Sequence, residues 1–155
     1  APGNLGRIYY LGQGVKPNVA LAKDYFQRSV ARNEDAIAKF FTRMMEITNN
    51  RVLASKSEII ETAIKVTLEG QDEGYNRLGW FLSKDDKTEA AKWFWAGRCF
   101  SKDAAERSRN KDSLNVIYQL FLERKEMEQA RAGLIEYYRQ NRTRLPEKPK
   151  CEVFN

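Results

Sequence analysis

The chain has 155 residues, is 42% hydrophobic and 31% charged, and carries a net charge of +6 with no histidine. That length suits one domain or a short solenoid, and the balance is that of a folded chain, not a disordered one. The missing histidine excludes Ser-His-Asp and Cys-His catalysis, histidine general bases and most transition-metal sites, and no apolar run reaches the length of a membrane span.

Helical periodicity runs from the first residues. A first helix is predicted over Pro2–Leu11, with Leu5 and Tyr9 four apart on one face. Gly6 lets a neighbouring helix approach, and Gly12 and Gly14 end the helix. The second helix starts near Pro17-Asn18, where Asn18 is placed to cap it, and runs to about Arg32, with Asn33 as its breaker. Ala22, Tyr25 and Phe26 form its apolar face, small Ala22 being placed to meet Gly6. A third helix covers Ala36 to about Thr48, carrying Phe40, Met44 and Ile47, and Asn49-Asn50 is a turn signal. Ser55-x-x-Glu58 is a capping-box pattern opening a fourth helix that Gly70 stops.

The fifth helix holds Gly74, Leu78, Gly79 and Leu82, and Ser83–Asp86 turns the chain. The sixth carries Ala90, Trp93 and Phe94 and is expected to be long, reaching towards Arg109, because Asn110-Lys111-Asp112 reads as a turn. A seventh helix places Leu114, Ile117, Tyr118, Phe121 and Leu122 on an apolar stripe, and an eighth, from about Glu126, holds Met127, Ala130, Leu134, Tyr137 and Tyr138. Pro146 and Pro149 forbid regular helix, so residues 145–155 are expected as an extended tail after a helical body of residues 1–144. The chain opens with APGN inside the helical pattern and shows no signal peptide, so upstream sequence is expected to have been removed.

Cys99 and Cys151 leave two readings open: one disulfide tying the tail to a helix, which implies an oxidising compartment, or two free thiols. Two cysteines without histidine make no zinc site. Adjacent carboxylates occur at Glu34-Asp35, Asp72-Glu73 and Asp85-Asp86, all at predicted helix starts, where negative charge favours the helix dipole. Gly12-x-Gly14 lacks the lysine and strand of a phosphate loop. The most basic stretch is Arg139, Arg142 and Arg144 with Lys148 and Lys150; no aromatic stacking platform accompanies it, so a solvated terminus is expected ahead of nucleic-acid binding.

The chain also repeats itself. Leu5-Gly6-x-x-Tyr9 is matched by Leu78-Gly79-x-x-Leu82, and Ala22-x-x-Tyr25-Phe26 by Ala90-x-x-Trp93-Phe94. Leu5, Phe40, Leu78 and Tyr118 are spaced by 35, 38 and 40 residues, lengths typical of helix-pair repeats. The opening unit resembles a Sel1-like repeat, a relative of the tetratricopeptide repeat, in Ala1, Leu5, Gly6, Tyr9, Gly12, Gly14, Val15, Ala22, Tyr25 and Phe26. Asn18 stands for the usual Asp, and Phe41 stands where the second unit should have glycine. The resemblance implies an all-α fold, a short α-solenoid of about four antiparallel helix pairs.

It also implies a concave face lined by the first helix of each pair. Carried onto this chain, the inward positions are Gly3, Arg7 and Tyr10; Ala38, Thr42 and Met45; Asn76, Trp80 and Ser83; and Val116, Leu120 and Glu123. Arg7, Tyr10, Thr42, Met45, Asn76 and Trp80 are the expected partner-binding residues, Arg, Tyr, Trp and Met being enriched in interface cores. The function expected is non-catalytic protein–protein interaction, with no cofactor or metal and a partner of acidic surface. A bacterial immunity protein that neutralises a secreted toxin is one concrete use, in the periplasm if the cysteines are bonded. Alternatives are a signalling or envelope adaptor, a hydrolase built on a carboxylate pair, and nucleic-acid binding through the basic tail.

Overall fold

The computed structural model describes residues 2–32, 35–53 and 55–151. Ala1, Asn33, Glu34 and the tail beyond Cys151, all used above, lie outside the described residues, as does the side chain of Asp35. The described residues form eight α-helices and no strand, so the chain is all-α. The helices are α1 (Pro2–Leu11), α2 (Val19–Ala31), α3 (Asp35–Ile47), α4 (Lys56–Leu68), α5 (Gly74–Leu82), α6 (Lys87–Phe100), α7 (Ala104–Phe121) and α8 (Arg124–Gln140). They fall into two compact units, Ala1–Val66 and Thr67–Asn155.

In the first unit α1 packs on α2 and α3, and α2 packs on α3. Gly12 and Gly14 leave α1 at φ of 68° and 77°, as a helix-ending loop demands. Asn18 then caps α2, its side-chain oxygen accepting from the Leu21 N–H at 3.0 Å. Asn49 and Asn50 end α3 in the left-handed region, at φ of 53° and 59°. Ser55 accepts from the Glu58 N–H at the start of α4.

The core of this unit is aromatic. A Cβ on Gly6 would lie 2.5 Å from the ring of Phe26, so the absent side chain is what seats that ring. The partner of Gly6 is thus Phe26, one helical turn beyond the expected Ala22. Phe26 stacks on Phe41 with centroids 5.9 Å apart, and Phe41 meets Phe40 and Tyr10 edge-on. Phe41, which breaks the repeat pattern in sequence, fills the centre of this cluster.

In the second unit α5, α6 and α7 pack on one another, and α8 packs on α6. Phe94 lies over Gly79 as Phe26 lies over Gly6: an added Cβ would sit 2.4 Å from the ring. The same glycine–phenylalanine contact therefore occurs once in each unit. Tyr75, Trp93, Phe100 and Tyr137 form a second aromatic cluster, with Trp93 and Tyr137 at 4.9 Å. Asp86 caps α6 through the Glu89 N–H.

Three expectations change here. α6 stops at Phe100 and α7 begins at Ala104, with Asp103 accepting from the Ala105 N–H. Asn110-Lys111-Asp112 lies inside α7, because Asn110 is a fully buried packing residue held by the Glu106 carbonyl at 2.8 Å. Within each unit adjacent helices pack in a solenoid-like manner, α1 with α2 and α2 with α3 in the first, α5 with α6 and α6 with α7 in the second, where α8 also packs on α6. The tail is not free. Leu145 is buried, Tyr138 donates to the Glu147 carbonyl at 2.9 Å, and Lys150 N–H donates to the Cys99 carbonyl at 2.9 Å. Cys99 and Cys151 are joined by a disulfide.

Candidate partner-binding site

The six expected binding residues separate by environment. Tyr10 is 0% exposed; its hydroxyl is 3.2 Å from that of Thr48, and burial raises its pKa. Asn76 is buried and donates to Asn110 and Ser113, each at 3.2 Å, tying α5 to α7. These two side chains hold their units together and present no surface, which corrects their assignment to a groove. Met45 is also buried except for one edge, which floors a cavity. The inward rule fails at Tyr10 because Phe41 of α3 packs on it, and at Asn76 because α7 does. Arg7 is half-buried, with a pKa lowered by desolvation and no hydrogen bond to its Nε among the described residues.

Thr42 and Met45 open onto a cavity of about 310 Å³ between α2 and α3. Lys23 and Gln27 of α2 form one wall; Glu46, Asn49 and Asn50 close the end of α3.

Trp80 is 43% exposed and leans edge-on against Phe94, with centroids at 5.0 Å. The end of α7 is uncovered as well. Leu120 and Phe121 follow Ile117 by three and four residues and so share the face that Leu114 and Ile117 bury. Yet Leu120 is 68% and Phe121 53% exposed, and Val116 and Tyr118 flank them in the open. The apolar stripe of α7 therefore runs into the open over its last turn, at Tyr118 and Phe121.

Lys87 links the two helix ends. Its ammonium donates to the Ser83 carbonyl at 3.1 Å and lies 4.7 Å from the Phe121 ring centroid. Tyr118, Phe121 and Lys87 were not expected at a surface site. Their only sequence signal was the length of the apolar stripe of α7 beyond Leu114.

The remaining candidates carry structural roles. Asp86 is a cap, and Asp72 accepts from the N–H groups of Lys102 and Asp103 at 2.9 Å each. Glu106, beside them, has a pKa raised mainly by burial, against the opposing Arg109 charge. No group of side chains that could hold a metal occurs among the described residues. In the basic stretch Arg139 pairs with Glu136 and Arg142 lies over Tyr138 at 5.8 Å. Arg144 lines a small cavity with Asp72 and Tyr75. No helix of the described residues is long and apolar enough to cross a membrane.

Compared with protein-family models, with curated proteins and with solved structures, the chain has no match.

Proposed function

We propose that this chain is a non-catalytic protein-interaction module built from Sel1-like helix pairs. The observation that carries the reading is the uncovered apolar end of α7, where Lys87 lies over Phe121 and also bonds the Ser83 carbonyl at the end of α5, the helix that carries the exposed Trp80. Isolated exposed apolar residues are ordinary on a soluble protein, but Leu120 and Phe121 are exposed together in the last turn of α7 on the side that Ile117 buries, with Val116 and Tyr118 at its two edges. Trp and aromatic anchors of this kind dominate binding energy at interfaces. The repeat relationship is supported by the paired Gly6–Phe26 and Gly79–Phe94 contacts.

A net charge of +6 favours a partner with acidic groups around an apolar segment. An inhibitor that covers the acidic surface of a secreted toxin is one such use. The Cys99–Cys151 bond supports an oxidising compartment such as the periplasm.

The test compares wild type with Trp80→Ala combined with Leu120→Asp, both checked for fold by circular dichroism. Partner recovered by cross-linking from the producing cells is expected to fall at least tenfold, because hot-spot truncations cost about 2 kcal/mol or more. Equal recovery would remove the site. If sedimentation shows a dimer that the same variant dissociates, the face belongs to a second copy and the reading of a foreign partner is wrong.

A further inference from the structure

The cavity between α2 and α3 is not part of that apolar surface, and its chemistry differs. Its floor is the sulfur-bearing side chain of Met45, and its volume of about 310 Å³ sits at the lower end for ligand pockets. Around this floor stand Lys23, Gln27, Thr42, Asn49 and Asn50. None of these five side chains makes a hydrogen bond or ion pair among the described residues, whereas the other charges nearby are paired. Glu46 accepts from Arg43 at 3.0 Å, and Asp24 pairs with Arg28. Lys23 is therefore the cation on this rim without a partner among the described residues. The backbone behind Asn49 and Asn50 is fixed: the Asn50 N–H donates to the Met45 carbonyl at 2.8 Å, and both residues hold positive φ.

We propose that this cavity binds an extended peptide segment in which an apolar side chain neighbours an acidic one. Each side-chain amide offers a donor and an acceptor together, the pair that every peptide unit presents in return. Met45 supplies a soft, adaptable floor for one aliphatic side chain. Lys23 supplies the charge for a carboxylate beside it. A saccharide would also meet donors and acceptors, but no aromatic ring lines the cavity to stack on a sugar face.

The site lies within the first unit and stands on its own observation, so it holds or fails separately from the α7 surface. The experiment titrates the ¹⁵N-labelled full chain with acetyl-Gly-Leu-Asp-Gly-amide, with the same peptide carrying Lys for Asp, and with maltotriose. Saturable shifts are expected at Lys23, Gln27, Thr42, Met45, Glu46, Asn49 and Asn50. The acidic peptide should bind about fivefold tighter than the basic one, as suits one exposed charge pair. Gln27→Trp, which fills the cavity, should abolish the shifts. Lys23→Glu, on an exposed position, should reverse the charge preference with the fold intact. The Trp80→Ala, Leu120→Asp variant should bind the peptide as wild type does. Absent or scattered shifts, an unchanged charge order in Lys23→Glu, or binding of maltotriose alone would each overturn the proposal.

Discussion

The hydroxyls of Tyr75 and Tyr137 lie 2.7 Å apart in the interior of the second unit. Burial raises both pKa values, that of Tyr137 to about 12 and that of Tyr75 well above its ordinary 10. In the unfolded chain each would ionise near 10, so between pH 10 and about 12 the unfolded state releases protons first. The folded state then binds more protons than the unfolded, and stability falls as pH rises through that window and is unaffected below it. Tyr137→Phe leaves the Tyr75 hydroxyl buried without its partner, a loss of roughly 1–3 kcal/mol. Adding Tyr75→Phe removes the orphan, so the double variant is expected to lose less than the two single variants summed. Urea unfolding at pH 7 and pH 11 measures both effects; additive losses, or an alkaline fall as large in the double variant as in wild type, would refute the coupling. In the sequence, Tyr137 was readable as a core position of the eighth helix. Tyr75, directly after Gly74, gave no sign of its partner, because pairing across 62 residues leaves no local pattern.

At the scale of elements, the α1–α2 hairpin was legible because each of its signals is local: a glycine exit, an asparagine cap and apolar residues at helical spacing. The α6–α7 junction was not. Glu106, Asn110, Ser113, Leu114 and Ile117 follow a helical period along the buried face of α7, but three of the five are polar, and a hydrophobic pattern cannot register them. Asn110 sits against Gly97 of α6, where an added Cβ would fall 2.3 Å from its side chain. Gly97→Ala must therefore push Asn110 aside and strain its bonds to Asn76 and to the Glu106 carbonyl. Overpacking of this kind costs about 1–3 kcal/mol. Asn110→Ala in the same chain makes room, so the double variant should recover part of the loss despite the missing hydrogen bonds. Equilibrium unfolding reads the cycle. A Gly97→Ala variant as stable as wild type would show that α6 and α7 do not approach this closely. The candidate site shares the same limit: Tyr10 and Asn76 fall on positions that the repeat resemblance turns inward, and only the packing of α3 and α7 reveals them as interior.

Across the whole molecule the two units differ in what holds them. The first, Ala1–Val66, contains no cysteine and rests on its aromatic core. The second contains the Cys99–Cys151 bond, which closes a loop with a sequence separation of 52. The sequence left that bond undecided because two distant cysteines carry no information about their approach. The fold brings them together by returning the tail across Tyr138 to Cys99. A cross-link over that separation restricts the unfolded chain and stabilises by about 4 kcal/mol on chain-entropy grounds. Cys99 is fully buried, whereas Cys151 is partly open, so a reducing thiolate would attack the Cys151 sulfur and release Cys99. Reduction with excess dithiothreitol is then expected to lower the melting temperature of the second unit by roughly 20 °C. Hydrogen exchange resolves where the loss falls. Amides of α6, α8 and residues 145–151 should lose protection, while those of α1 to α3 keep it. Cys99→Ser with Cys151→Ser should reproduce the reduced protein and no longer respond to dithiothreitol. A uniform loss of protection over both units would mean that they unfold as one body, and no loss at all would mean that Tyr138, Leu145 and Lys150 hold the tail without the bond.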